Sequence, residues 1–377
     1  MDRLASQVLT NTAAQSAGDH VVHLVGRVTD AVFSFLGPVT AVHAERGVRQ
    51  TVILIDEPSY RHLLPRFHPS IRLVLTSAHA GPLRRLMDSF DALLTAVNAP
   101  DTVAVHLHGV IPGLLGVCAA RFRGMPQGLV FSPHGSRSLV ALAPVRNVAT
   151  WLLRPPSGPA PKLVIANSAS DAKALERLTD EPVQLIESRV DTEFFYAPRR
   201  EARRPLLLTG SRARDSTAAA LYAQLAVLLS EESLRVSCNW HGTADANSLA
   251  RLAAAHVAVY DATETSERAS RMSSAWIYLA LQGEHGFPVF LAEAMAAGLA
   301  CVVWDTPTHR ELIRHGETGL FCNSLQSLLA CVAELIDSRD KRAQLGAAAR
   351  AEARQRFDDR TFRDSINSAY APLLPEI

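Results

Sequence analysis

Apolar residues gather in short unbroken runs that end at glycine or a small polar residue, with longer helical stretches between them. The first run is "HVVHLVG" (20–26), followed by the helical pattern of "AVFSFLGPVTAVHAERG" and then by "QTVILID" (50–56). Strand, helix, strand is the rhythm of a parallel sheet. It continues through "IRLVLTS" (71–77), the helix-like "GPLRRLMDSFDALLTAVNAP", "DTVAVHLHG" (101–109), "IPGLLGVCAARFRG", "QGLVFSPHG" (127–135) and "PKLVIANS" (161–168). These strands are apolar throughout rather than alternating, which suits a sheet with helices on both faces.

The polar, proline-bounded stretch "SRVDTEFFYAPRREARRP" (188–205) interrupts this rhythm and reads as a linker. Beyond it the pattern restarts with "LLLTGS" (206–211), a helix, "LRVSCNW" (234–240), "VAVYDA" (257–262), "AWIYLAL" (275–281), a helix over 288–297, "ACVVWD" (300–305) and "GLFCN" (319–323). The tail from Gln326 onward is helical, with one interruption near Asp337–Asp340. The expected fold class is α/β: two Rossmann-like βα domains facing a central cleft. One spans 1–190 and the other 200–357, with ligands at the carboxyl ends of the strands.

Composition narrows the function classes. The 377 residues are 48% hydrophobic and 20% charged with a net charge of +1, so there is no bulk field to attract nucleic acid. Cysteines 118, 238, 301, 322 and 331 are odd in number and form no C-x-x-C pair, which argues for a reducing, cytoplasmic setting without structural zinc. The first 20 residues lack a signal-peptide core, and no 18-residue apolar run predicts a membrane span. Thr102 to Ser170 contains no Asp or Glu but holds Arg121, Arg123, Arg137, Arg146, Arg154 and Lys162. Two readings stand open: a solvated basic surface, or a face that meets phosphate or an anionic bilayer.

The fingerprints of dinucleotide-binding enzymes, P-loop NTPases and nucleophile-elbow hydrolases are absent, and no D-x-D pair offers to hold a metal for a nucleotide sugar. Loops at strand ends carry the candidate chemistry. In "SPHGSRS" (132–138), His134 is followed by Gly135 and Arg137. It reads as a base, a hydrogen-bond donor to a sugar, or a turn residue. His108 in "HLHG" is a weaker candidate of the same kind, with packing at the domain edge as the plainer reading. In "LLLTGSRARDS", Gly210 precedes Arg212 and Arg214, whose forked donors suit a diphosphate or simply solvent.

The stretch "GEHGFPVFLAEAMAAG" (283–298) is a loop entering a helix, with Pro288 suited to the first helical position and Gly298 to the residue past the end. The helix start over Gly286, Phe287, Pro288 and Val289 would welcome an anion. Glu293 stands among Leu291, Ala292, Ala294, Met295 and Ala296, so it is buried and needs partners. Vicinal hydroxyls of a ribose would serve.

The segment "GFPVFLAEAMAAGLACVVWDTPTHRELIRHGETGLF" (286–321) resembles the donor-domain signature of family-4 retaining glycosyltransferases with the GT-B fold. "DTVAVHLHG", "FSPHG", "IANSASDAKAL", "IESRVDTEFFYAP" and "LLLTG" follow in the family's order, while residues 1–100 match mainly in rhythm. The resemblance implies transfer of a sugar from a UDP- or GDP-linked nucleotide-diphospho-sugar as co-substrate, without metal or cofactor. The acceptor would be a saccharide or lipid-linked molecule in surface polysaccharide or lipopolysaccharide assembly. It also implies that the C-terminal helix (358–377) crosses back to the N-terminal domain.

In the family's E-x7-E motif, Glu293 matches the second, ribose-binding Glu. His285 falls at the first, sugar-binding position, and Glu284 lies one residue early. Ser211 and Ser216 occupy the family's Arg and Lys positions, leaving Arg212 and Arg214 as neighbours able to substitute. His134 matches the histidine near the reacting sugar, and Gly135, Arg137 and His108 lie on the acceptor side. The helix over 81–98, with Arg84 and Arg85 beside an apolar stripe, reads as core packing or as a peripheral membrane contact at the inner face. The disturbed cation pair keeps two alternatives open: a non-catalytic sugar-nucleotide-binding partner subunit, and a GT-B-fold epimerase.

Overall fold

The computed structural model describes residues 7–9, 19–26, 28–77, 81–123, 128–135, 147, 162–210, 216–231, 235–242, 244–260, 264–281 and 287–374. The chain divides into two compact units: Met1–Ser188 with His285–Phe287 and Phe362–Ile377, and Arg189–Glu284 with Pro288–Thr361.

The first unit is built on an eight-stranded sheet. Its strands are β1 (Gln7–Leu9), β2 (His20–Val25), β3 (Arg49–Asp56), β4 (Arg72–Ser77), β5 (Thr102–His108), β6 (Gly128–Ser132), β7 (Leu163–Ala166) and β8 (Val183–Leu185), in the order β1-β4-β3-β2-β5-β6-β7-β8. Only β1 runs antiparallel, against β4. Strand order reverses between β2 and β5, and such a switch point is where open α/β sheets bind ligands. Both faces are covered. Val22, Leu24, Val105, Leu107 and Phe131 pack with Leu93, Val97 and Val117 of the helices Pro82–Val97 and Val110–Arg123. Val21, Ala104, Val130 and Ile165 pack with Phe35 and Val39 of Asp30–Glu45 and with Phe362, Ile366 and Tyr370 of the C-terminal helix Asp359–Tyr370.

The second unit carries six parallel strands, β9 (Leu206–Gly210), β10 (Ser237–His241), β11 (Ala258–Tyr260), β12 (Ile277–Ala280), β13 (Ala300–Trp304) and β14 (Leu320–Cys322), ordered β11-β10-β9-β12-β13-β14. Its switch point falls between β9 and β12. There Thr209 Oγ1 donates to Leu279 O at 2.7 Å and ties the two strands together near their carboxyl ends. The helices Val289–Ala296 and Arg339–Arg356 approach so closely that a Cβ on Gly346 would stand 2.2 Å from Gly298 O.

Three features add to the sequence reading. The short edge strands β1 and β8 are too brief to show a periodicity. The segment taken as a linker is structured: the unit boundary falls at Ser188/Arg189, and the helix Thr192–Tyr196 buries Phe194 and Phe195. The helix Pro82–Val97 buries Leu93 and Val97 in the core and leaves Leu83, Leu86 and Met87 exposed. Among the described residues no helix is long and apolar enough to cross a membrane.

Candidate functional site

In the second unit, the strands that flank the switch point lead into the two loops singled out by sequence. Gly210 ends β9 where a Cβ would meet His241 O at 3.2 Å and Phe290 Cδ1 at 3.4 Å, so a larger residue would push on backbone. Arg212 and Arg214 beyond it lie outside the described residues, as do Glu284, His285 and Gly286 after β12 and Arg137 in the first unit. Phe287 is 4% exposed. Pro288 is the N-cap of the helix Val289–Ala296 rather than its first residue, with φ −81° and ψ 81°, and no side chain caps that helix end. At the other end Gly298 takes φ +75° just past the C-cap, a conformation that favours glycine.

Glu293 sits midway along this helix, whose residues Phe290 to Ala296 are all buried. Its carboxylate is gripped by a forked pair of bonds: Arg268 Nη2 donates to Oε1 at 2.7 Å and Arg268 Nε to Oε2 at 3.3 Å. The two side chains are 5% and 6% exposed. Arg268 comes from the helix Thr265–Ser274 and lies 5.6 Å from the Phe194 ring centroid. Burial works against its charge, but Glu293, Asp191 and Glu193 outweigh it and hold its pKa above the ordinary arginine value. A carboxylate has about four acceptor positions, so the fork leaves lone pairs for a ligand's hydroxyls. Sequence reasoning passed over Arg268, because "TSERASRMSS" offers few apolar residues to mark a buried face. The available signal was the stoichiometry of charge: a glutamate in an all-apolar helix requires a cation somewhere.

In the first unit, His134 follows β6 with φ +53° and Gly135 with φ +110°. The left-handed histidine is a strained position of the kind that clusters at working sites. His108 does not pack at a domain edge. It is 3% exposed at the switch point, its Nδ1 2.9 Å from His134 Nε2, the rings 12° from parallel. Behind it stand residues the sequence reading passed over. His108 Nε2 is 3.2 Å from His23 Nδ1. His106 packs against His108 with ring centroids 3.8 Å apart and bonds to Ser132 Oγ at 2.8 Å and to Tyr370 Oη at 2.6 Å. His20 bridges Thr102 Oγ1 at 2.8 Å and Thr51 Oγ1 at 2.9 Å. His43 packs on Tyr370, 4.4 Å between ring centroids.

The spacing of "HLH" held this information. Residues two apart on a strand share a face, and the β2–β5 register sets His23 opposite His106. Burial keeps these rings neutral: His23 and His43 are lowered to about 3, His134 and His20 to about 4, and His106 and His108 well below the ordinary histidine value. His23, His106 and His108 each bring one ring nitrogen within 4.8 Å of the others, a spacing a metal ion could use. Here, however, the His23–His108 contact and both His106 nitrogens are already committed to hydrogen bonds.

Residues 240–352 match the family model described as Glycosyl transferases group 1. No curated protein matches the chain significantly. Among solved structures, HepE (Alr3699) of Anabaena, crystallised with UDP and glucose, is 17% identical with a TM-score of 0.75, over 94% of this chain and 100% of that one. A glycosyltransferase from Rickettsia africae ESF-5 is 13% identical with a TM-score of 0.74, over 96% and 100%. Sucrose-phosphate synthase from Thermosynechococcus elongatus is 15% identical with a TM-score of 0.75, over 95% and 100%. At these identities the likeness establishes the fold: two parallel-sheet Rossmann-like domains of the GT-B class.

Proposed function

We propose that the protein is a metal-independent retaining glycosyltransferase. It moves a sugar from a UDP- or GDP-linked donor to a saccharide or lipid-linked acceptor in surface polysaccharide or lipopolysaccharide assembly. The observation that carries this reading is Glu293, a buried carboxylate oriented by Arg268 on the helix that follows β12. It lies inside the segment that matches the glycosyltransferase model. Glu293 takes the ribose hydroxyls. Arg212 and Arg214, with the helix start over 286–289, neutralise the leaving diphosphate, a task that falls to protein donors when no metal takes part. His285 or Glu284 holds the donor sugar, and His134 serves the reacting sugar, with Gly135, Arg137 and His108 on the acceptor side. Exposed Leu83, Leu86 and Met87 beside Arg84 and Arg85 support a peripheral contact with the inner membrane face.

The test is transfer from a panel of UDP- and GDP-sugars to saccharide and lipid-linked acceptors, with the product's anomeric configuration read by NMR. Retained configuration in the presence of chelator is expected. Tight nucleotide binding without turnover on any acceptor would replace this reading with that of a binding subunit. An epimerised sugar nucleotide formed without acceptor would replace it with that of an epimerase.

A further inference from the structure

The strands β9, β10 and β11 end side by side. Their register sets Gly210, His241 and Tyr260 in one line at the carboxyl edge of the second sheet. Side chains alternate along a strand. Trp240 packs with Tyr222 of the helix Ser216–Glu231, so His241 leaves the sheet on the opposite face. That face carries the Glu293 helix: a Cβ on Gly210 would stand 3.5 Å from His241 Cβ and 3.4 Å from Phe290 Cδ1. Phe290 lies about one turn before Glu293 on that helix. The helix Thr265–Ser274 spans the same ground. Its Arg268 reaches Glu293, and its Arg271 lies 3.7 Å from the Tyr260 ring centroid. The Tyr260 ring meets the His241 ring edge-on, 6.1 Å between centroids. His241 is thus bracketed by Phe290 on one side and Tyr260 on the other.

His241 is 0% exposed, and among the described residues neither of its ring nitrogens has a hydrogen-bond partner. Buried polar atoms left unpaired cost stability, and here both belong to one side chain. Its backbone is well held: Gly242 turns with φ +108° and its N–H donates to Tyr260 O at 2.9 Å, fixing the end of β10 to β11. Burial, with Arg271 and Arg268 nearby, lowers the ring's pKa to about 4. A neutral imidazole offers one N–H donor and one bare acceptor, and no charge for an anion. The neighbouring cations are engaged, Arg268 by Glu293 and Arg271 by Glu267 at 2.6 and 3.1 Å. The chemistry that fits is a flat, neutral heterocycle with its own donors and acceptors.

A nucleotide carries its base and its phosphates on opposite sides of the ribose. With the phosphates at the helix start after β12 and the ribose at Glu293, the base extends across β9 toward β10, in the strand order β11-β10-β9-β12. We propose that His241 hydrogen-bonds the base of the donor nucleotide and is a specificity-determining residue of the site. This rests on the reading that Glu293 takes the ribose.

The experiment is calorimetric titration of the full chain with UDP, GDP and ribose 5-diphosphate, which lacks a base, in the parent and in His241→Leu. The variant should bind the preferred nucleoside diphosphate on the order of tenfold more weakly, with ribose 5-diphosphate within about twofold. A merely structural histidine would weaken all three ligands alike, and that result overturns the proposal. So does equal affinity of parent and variant for both nucleotides, or a parent that binds neither. A second measurement needs only the parent's fold during binding: in the 15N-histidine-labelled chain, the His241 ring signal, assigned by its loss in His241→Gln, should move with the preferred nucleotide and stay with ribose 5-diphosphate. A signal that the nucleotide leaves unmoved also overturns the proposal. Neither measurement requires turnover. Base-dependent loss in a protein that transfers no sugar would reject the proposed activity and leave His241 in place. A protein that transfers sugar, with a His241→Leu variant that binds as the parent does, would reject the role of His241 alone.

Discussion

Replacing Arg268 by methionine removes the cation from a carboxylate that is 5% exposed, in a helix otherwise buried from Phe290 to Ala296. The lost stabilisation is set by Glu293, left charged and unpaired in that environment. Breaking a buried pair in this way costs about 3–5 kcal/mol. Loss of the contact with the Phe194 ring adds about 0.5–1 kcal/mol. With a urea slope of about 3 kcal/mol/M for a unit of this size, the midpoint should fall by roughly 1–2 M.

Tryptophan emission is the natural assay, because Trp240, Trp276 and Trp304, three of the four tryptophans, belong to the second unit. Arg268→Lys keeps the charge but not the fork and should recover part of the loss. The double variant Arg268→Met/Glu293→Met should recover most of it, because no charge is then buried alone. A single-variant midpoint within about 0.3 M of the parent, or no recovery in the double variant, would refute the argument that the fork neutralises Glu293.

Acid should unfold the first unit early. The folded-state values of His23 and His43 are depressed to about 3, so the stability they contribute is complete above the ordinary histidine pKa and is lost as pH falls from about 6.5 toward 3. At about 1.4 kcal/mol per pH unit each, these two account for roughly 4 kcal/mol by pH 5, and His106 and His108 add in the same direction. Far-UV circular dichroism unchanged down to about pH 4.5 would contradict this. Gly346→Ala drives a Cβ against backbone, Gly298 O and C at 2.2 and 3.0 Å, and should lower stability by about 1–3 kcal/mol in the same urea assay. An unchanged midpoint would show that the two helices separate freely. Glu293→Ala should weaken UDP or GDP binding in calorimetry, whereas His285→Ala should lower turnover more than nucleotide affinity. Equal turnover in parent and His285→Ala would remove His285 from the reaction.

The two sheets were legible because fully buried parallel strands leave long apolar runs, and "VVHLV", "TVILI" and "VAVHL" have little alternative use. The Glu293 helix was legible for the same reason, its burial visible in "VFLAEAMA". Arg268 was not, because a buried cation is signalled by what it faces, and its own helix offers only Ala269 and Met272 as apolar positions. The buried group of His23, His106 and His108 was half legible. "HLH" declares a shared face on β5, but the third member comes from β2, and only the strand order brings His23 beside His106 and His108. Short elements such as β1 and β8 carry too few residues for any pattern to rise above composition.

Phe362, Ile366, Ala369, Tyr370 and Leu374 belong to the core of the first unit, although the chain has by then passed through the whole second unit. During synthesis, the ribosome releases residues up to Ser188 with Phe35, Val39 and Val130 still lacking their covering helix. Some 170 residues later, at about 5–20 residues per second, the helix follows after roughly 10–35 s. For that interval the first unit is an incomplete fold with an uncovered apolar face. A nascent chain stalled before Phe362 should therefore be protease-sensitive in its N-terminal half, and the residues from Phe362 onward decide when the earliest ones become native.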